Sequence, residues 1–152
     1  MATSNTGTTG LDEQQASADD PTWVPRPVVD AVHTMQLQEH GGLQGTRDAN
    51  ALAAALARPQ HKHHYEPGGD VAALAAAYAF GLATCHGYVD ANKRTAFVVA
   101  AMFLELNGYD LDVAHDDVVE TMRAVADHRL DEVQLAAWMR AALVPLPPPG
   151  VD

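Results

Sequence analysis

Between His86 and Arg94 the chain reads His-Gly-Tyr-Val-Asp-Ala-Asn-Lys-Arg, which gathers an imidazole, a carboxylate, an amide and two cations into nine positions. That inventory suits phosphate. If Asp90 or Ala91 begins a helix, the free N–H groups of its first turn and the positive end of its dipole point out of the loop, where an anion is stabilised. Asn92, Lys93 and Arg94 then fall in that turn and offer an amide donor, a mobile ammonium and a planar guanidinium to phosphate oxygens. Asp90 has the chemistry for Mg²⁺, which is commonly held by one or two carboxylates together with nucleotide phosphates. A nucleoside triphosphate carries about four negative charges, and Mg²⁺, Lys93, Arg94 and roughly half a charge of dipole sum to about +4.5. His86 is the candidate general base, because a Ser or Thr hydroxyl is scarcely ionised at neutral pH and an imidazole can take its proton as it attacks phosphorus.

The competing reading makes Asp90 an ordinary N-cap, Lys93 and Arg94 a solvated first turn and His86 a loop residue. Against it, the dipole disfavours cations at a helix N-terminus, so two of them there ask for an anion. A Walker loop is absent, since no Gly-x-x-x-x-Gly precedes Lys93 and Arg follows it.

The elements that must hold this stretch are helical. Val71 to Ala83 is Ala, Val, Leu, Gly, Tyr and Phe throughout, and Ala96 to Leu104 is apolar without a break. Helices apolar all round belong in the middle of a domain. Asp70 caps the first of this pair, which runs to about Cys85, and the second ends at Asn107-Gly108. Upstream, a helix is predicted over about Pro27 to Glu39, with Val28, Val32 and Met35 on one face and Gly41-Gly42 ending it. His33 lies off that stripe and reads as a packing or surface histidine. Thr46 or Arg47 leads into another helix, with Leu52, Ala55 and Leu56 inward, which Pro59 should stop. Gln60 to Gly69 then reads as a solvated loop; its His61, His63 and His64 have no Cys or acidic partner at metal-ligand spacing. Tyr109 to Val113 is briefly extended. A fifth helix follows over about Asp116 to Asp127, inward through Val118, Met122 and Val125. Asp131 caps a sixth through Leu143, with Val133, Ala136, Ala137, Trp138 and Met139 among its apolar positions. Three parts result: a flexible tail over residues 1–22, one helical domain over 23–143 and a Pro-rich extended tail over 144–152.

The nine residues resemble the core motif of the Doc (death-on-curing) branch of the Fic/Doc family, His-x-Phe-x-Asp-Ala-Asn-Lys-Arg, with Tyr88 where Phe is usual. Tyr88 is expected to plug the core beneath the loop, and its hydroxyl needs a partner. The AMP-transferring Fic branch has Gly where this chain has Lys93, and a second Arg where it has Phe97. Gly41-Gly42-Leu43, Gly45, Arg47-Asp48, Arg58-Pro59-Gln60 and Asn107-Gly108-Tyr109 extend the likeness over about half of the chain. The resemblance implies an all-α, compact six-helix bundle whose buried central helix pair flanks the active-site loop. It implies a kinase-like toxin that moves the γ-phosphate of ATP, with Mg²⁺, to a Thr or Ser of elongation factor Tu and is silenced by a Phd-like antitoxin. Its roles fall on His86 as catalytic base, Asp90 as metal ligand and Asn92, Lys93 and Arg94 as nucleotide contacts. Nucleotidyl transfer of the Fic type, or a non-catalytic partner-binding regulator, are the alternatives. The segment Arg58 to Tyr65 stands where Fic-type proteins carry a flap that clamps the target peptide. Thr9 to Glu13 has the Ser/Thr-x-x-x-Glu spacing of the helix that silences Fic proteins, but Gln14 follows where Gly or Asn is expected, so inhibition by a separate protein is favoured.

Composition narrows the partners. Nine Lys plus Arg against 20 Asp plus Glu give a formal charge of −11, which repels nucleic acid and anionic membrane. A toxin that cuts RNA directly does not fit. One cysteine, Cys85, allows no internal disulfide. It adjoins His86, but sequence neighbours rarely form a nucleophile–base pair, so it reads as a buried structural thiol. With no signal sequence and no apolar run of about 20 residues, a cytoplasmic protein is expected.

Overall fold

The computed structural model describes residues 20–148 and residue 150. Six α-helices and one small sheet make up these residues. They are α1 (Arg26–His40), α2 (Ala49–Tyr65), α3 (Val71–Thr84), α4 (Asn92–Leu106), β1 (Tyr109–Leu111), α5 (His115–Ala126), α6 (Glu132–Ala142) and β2 (Leu143–Pro145). The expected all-α, six-helix architecture is the observed one. The N-terminal tail up to residue 19, with the Thr9–Glu13 spacing, lies outside the described residues.

Having no polar face, α3 is buried on nearly every side, with α2, α4 and α6 packed around it. Its alanines let those neighbours approach closely. Tyr78 and Phe103 meet at 5.1 Å between ring centroids and fill the centre together with Leu52, Leu74, Leu82, Leu104, Leu135 and Met139. The Tyr78 hydroxyl takes the Val24 N–H at 3.1 Å, and Trp23 stacks on Phe103, so the approach to α1 is sealed onto the core. Asn107 exchanges hydrogen bonds with the Thr22 backbone, which pins the same approach to the end of α4.

Asp48, Asp70 and Asp131 each accept an N–H at the start of α2, α3 and α6, and Asp131 forms a full capping box with Gln134. Extended backbone appears where it was expected after α4, as β1. The sixth helix, read through Leu143, ends at Ala142, and Leu143 with the first residues of the expected extended tail returns as β2 and pairs antiparallel with β1, Asp110 opposite Val144.

Three expectations are corrected. Pro59 does not stop α2: the helix continues six residues past it to Tyr65, so His61, His63 and His64 are helical rather than in a loop. An interior proline costs about 3 kcal/mol. Contacts on both sides of it offset that cost. Arg58 ion-pairs with Glu132 and lies 5.4 Å from the Phe80 ring centre, Lys62 reaches Glu66 and Glu132, and His63 meets the edge of Trp23. The inward face of α1 is also rotated by one residue: Val29, Val32, His33 and Gln36 are buried and Met35 is half exposed. In α6, Val133 is exposed and Leu135 takes the inward place beside Ala136 and Met139.

Candidate active site

The reactive stretch lies between the two central helices, as its flanks required. His86 and Ala91 both have left-handed backbone, φ 53° and 63°, which turns the chain sharply out of α3 and sharply into α4. The loop between them is stitched to the segment before α2. Gly87 O accepts from the N–H groups of Arg47 and Asp48, Val89 N–H donates to Gly45 O, and Thr46 sits opposite Tyr88 in an isolated antiparallel bridge. Gly87 permits this, because a Cβ there would lie 2.9 Å from the Leu52 Cβ.

Tyr88 is buried under the loop, and its hydroxyl partner is Asp30 of α1, to which it donates at 2.7 Å. Burial, with the Asp30 carboxylate second, pushes the Tyr88 phenol well above its ordinary range. His33 lies parallel on the Tyr88 ring, centroids 3.7 Å apart, and its Nε2 is 3.0 Å from the Asp90 carbonyl. The histidine read as lying off the apolar stripe is therefore part of the loop's support.

Asn92 uses its amide on the loop, its Oδ1 accepting from Tyr88 N–H at 3.0 Å and its Nδ2 donating to Tyr88 O at 2.9 Å. One Nδ2 hydrogen remains for a ligand. Asp90 is tied at both oxygens. Oδ2 accepts from Leu43 N–H at 3.1 Å and Oδ1 from Ala91 N–H at 2.8 Å, and these two donors hold its carboxyl below the usual range. Gly42 makes room for it: a Cβ there would lie 2.8 Å from Asp90 Oδ2, and its φ of 131° disfavours any side chain. Arg94 donates to Gly41 O and Gln36 O at the end of α1, which places a cation where that helix's dipole is negative. Lys93 is exposed and, among the described residues, forms no ion pair. His86 is exposed too. Cys85 is half-buried with its thiol on the Leu82 carbonyl, and burial pushes its pKa up, as suits a structural thiol.

The start of α4 is thus built unlike those of α2, α3 and α6. Its N-cap is Ala91, no side chain caps it, and its first turn holds two cations and no acid. A cleft of about 400 Å³ opens alongside, between α1 and the Gly42–Gly45 loop, with His33 in its wall. The donor set fits a magnesium–polyphosphate: an ionised Asp90 able to share a cation with phosphate oxygens, open first-turn N–H groups and the Lys93 ammonium. Among the described residues no group of three or more His, Cys, Asp or Glu could hold a metal ion by itself, so a cation here would need the phosphates as ligands.

A family model described as "Fic/DOC family" matches residues 23–104, more than half of the chain. The chain belongs to the Fic/Doc family. Within it, the chain falls in the Doc branch. It is 37% identical over 78 residues to "Protein kinase doc" of Escherichia phage P1, a match that covers 51% of this chain and 62% of the phage protein. It is 38% identical over 111 residues to "Toxin Doc" of Mycolicibacterium smegmatis, covering 67% of this chain and 84% of that protein. The family match ends at the last turn of α4, so it spans the loop from His86 to Arg94 and the α1 side chains beneath it. No described helix is long and apolar enough to cross a membrane.

The sequence placed His86, Asp90, Asn92, Lys93 and Arg94 on one loop and one helix turn, and the structure gathers them there. Asp30 and His33 were missed as site residues. The signal available was Tyr88 itself, whose hydroxyl demanded a partner.

Proposed function

We propose that this chain is a Doc-type toxin that transfers a phosphoryl group from Mg·ATP to a Ser or Thr hydroxyl of a translation factor, elongation factor Tu by the family likeness. Mg·ATP supplies the phosphoryl group and leaves as the diphosphate. The open start of α4 with Lys93 beside it carries this reading, because among the described residues no side chain caps that turn and the charges within it, Lys93 and Arg94, oppose the dipole. Lys93, the remaining Asn92 N–H and the first-turn amides hold the phosphates, Asp90 shares the cation, and Arg94 braces the turn against α1. His86 takes the acceptor's proton as its oxygen attacks phosphorus. The names of the two relatives, one a kinase and both Doc, support phosphoryl transfer and toxicity. Lys93 where the Fic branch has Gly favours a kinase over an AMP transferase.

A Phd-like antitoxin is the proposed partner, its helical tail seated in the cleft beside Leu37 and the exposed Leu43. Because α2 stays helical to Tyr65, the segment Arg58 to Tyr65 offers no free strand edge, and the target is proposed to dock without strand pairing. The test is incubation of elongation factor Tu with this chain and ATP labelled at either the α or the γ phosphate. Label from γ is expected on the target, absent with His86→Ala and absent when the product of an adjacent small antitoxin gene is added. Label from α would make the chain a nucleotidyl transferase. Full growth arrest by His86→Ala at equal abundance would make it a non-catalytic regulator.

A further inference from the structure

We infer that His33 is a positioning residue for the reactive loop: it holds the Asp90 carbonyl, and through it the left-handed turn at Ala91 from which α4 starts. Its catalytic consequence rests on the nucleotide reading above; its geometry does not.

The turn needs holding. Alanine gains nothing from left-handed backbone and adopts it only where its surroundings impose it. Asp90, immediately before, has three tethers. Two are on its carboxylate, from Leu43 and Ala91, and the third is the His33 bond to its carbonyl, across 57 positions of sequence. A carbonyl only accepts, so Nε2 of His33 carries the hydrogen. The imidazole is in turn fixed. It is 6% exposed, it lies within 6° of parallel to the Tyr88 ring, and Tyr88 is anchored at its far end by Asp30. Stack and bond thus make one unit, in which α1 sets the plane of the Asp90–Ala91 peptide and the aim of the amides that follow. A histidine there only for volume would need neither its Nε2 aligned on that carbonyl nor its ring aligned on the tyrosine.

Two variants separate the parts. His33→Phe keeps a ring to stack and removes the donor; His33→Gln restores an N–H donor near Nε2 and removes the ring. Amide hydrogen exchange on the full chain without nucleotide is the first readout. In H33F the Leu43 and Ala91 amides are expected to exchange about tenfold faster, the equivalent of one lost neutral hydrogen bond, with H33Q within about threefold of wild type. Amides in the middle of α3 should not change. Wild-type protection of Leu43 and Ala91 in H33F, or acceleration spread equally into α3, overturns the proposal. Should H33F not fold, H33M against H33Q makes the same contrast. The second readout is phosphorylation of elongation factor Tu. H33F is expected to lower kcat about tenfold with the KM for Mg·ATP within about threefold, and H33Q to recover most of it. If the wild-type chain labels nothing, the proposed function fails, while the exchange data still decide the role of His33.

Discussion

The two central helices follow one another in the chain and face each other in the core, yet they begin in opposite ways. Asp70 closes α3: its Oδ1 takes the Ala73 N–H at 2.9 Å, and Arg140 from α6 pairs with the same carboxylate. That guanidinium, ahead of the backbone donor, holds the Asp70 carboxyl below the usual range. Ala91 leaves α4 open, and Lys93 and Arg94 load the turn with the charge the dipole disfavours. One start is satisfied from within the chain and gives stability; the other has no side-chain cap, as the proposed phosphate site requires. On that proposal, stability is given up where binding is gained.

The sharpest way to break that contrast is to make α4 resemble α3. Lys93→Glu places an acid in the open turn, which is expected to raise stability by about 0.5 kcal/mol, or about 2 °C in Tm. The same change should weaken Mg·ATP binding about tenfold to a hundredfold. Calorimetric titration beside a thermal melt reads both, and a variant that binds ATP as wild type does would remove Lys93 from the site.

The converse change, Asp70→Ala, should cost about 1–2 kcal/mol through the lost cap and its exposed ion pair, and leave nucleotide affinity unchanged. Its pH dependence has a definite sign. The folded carboxyl titrates below its unfolded value of 3.8, so the stabilisation is complete above that value and is lost as pH falls through the lower, folded one. Denaturation curves of the two proteins should therefore converge at the acid end; a constant gap would assign the cost to packing instead.

Smallest is Tyr88→Phe, which installs the ring usual in the Doc motif. Losing the bond to the half-exposed Asp30 should cost about 0.5–1 kcal/mol in urea unfolding, with ATP affinity within about twofold. A larger loss of affinity would mean that the hydroxyl, and not only the ring, sets the loop.

Much of this was legible in the residues. Apolar runs without a polar face named the buried pair, and the crowding of His86, Asp90, Asn92, Lys93 and Arg94 named the loop. Boundaries marked by local chemistry, Asp70 or Asp131, were close to those observed. What misled was local chemistry overruled from a distance. Pro59 reads as a stop, but Glu132, 73 positions later, gathers Arg58 and Lys62 and carries the helix through. His33 looked idle because its partners, Tyr88 and Asp90, belong to another part of the chain. Asn92 and Arg94 were read as ligands alone, and their bonds to Tyr88, Gln36 and Gly41 show that they also build the turn they stand in.

Tyr88 and Asp90 are held by residues 47 to 58 positions upstream, on α1 and on the segment leading into α2. During synthesis those supports leave the ribosome first and wait for their counterpart, so the reactive geometry cannot exist until α4 has followed them out and docked. On the proposed function, a nascent chain is inert until that moment, which would give a newly made antitoxin time to arrive.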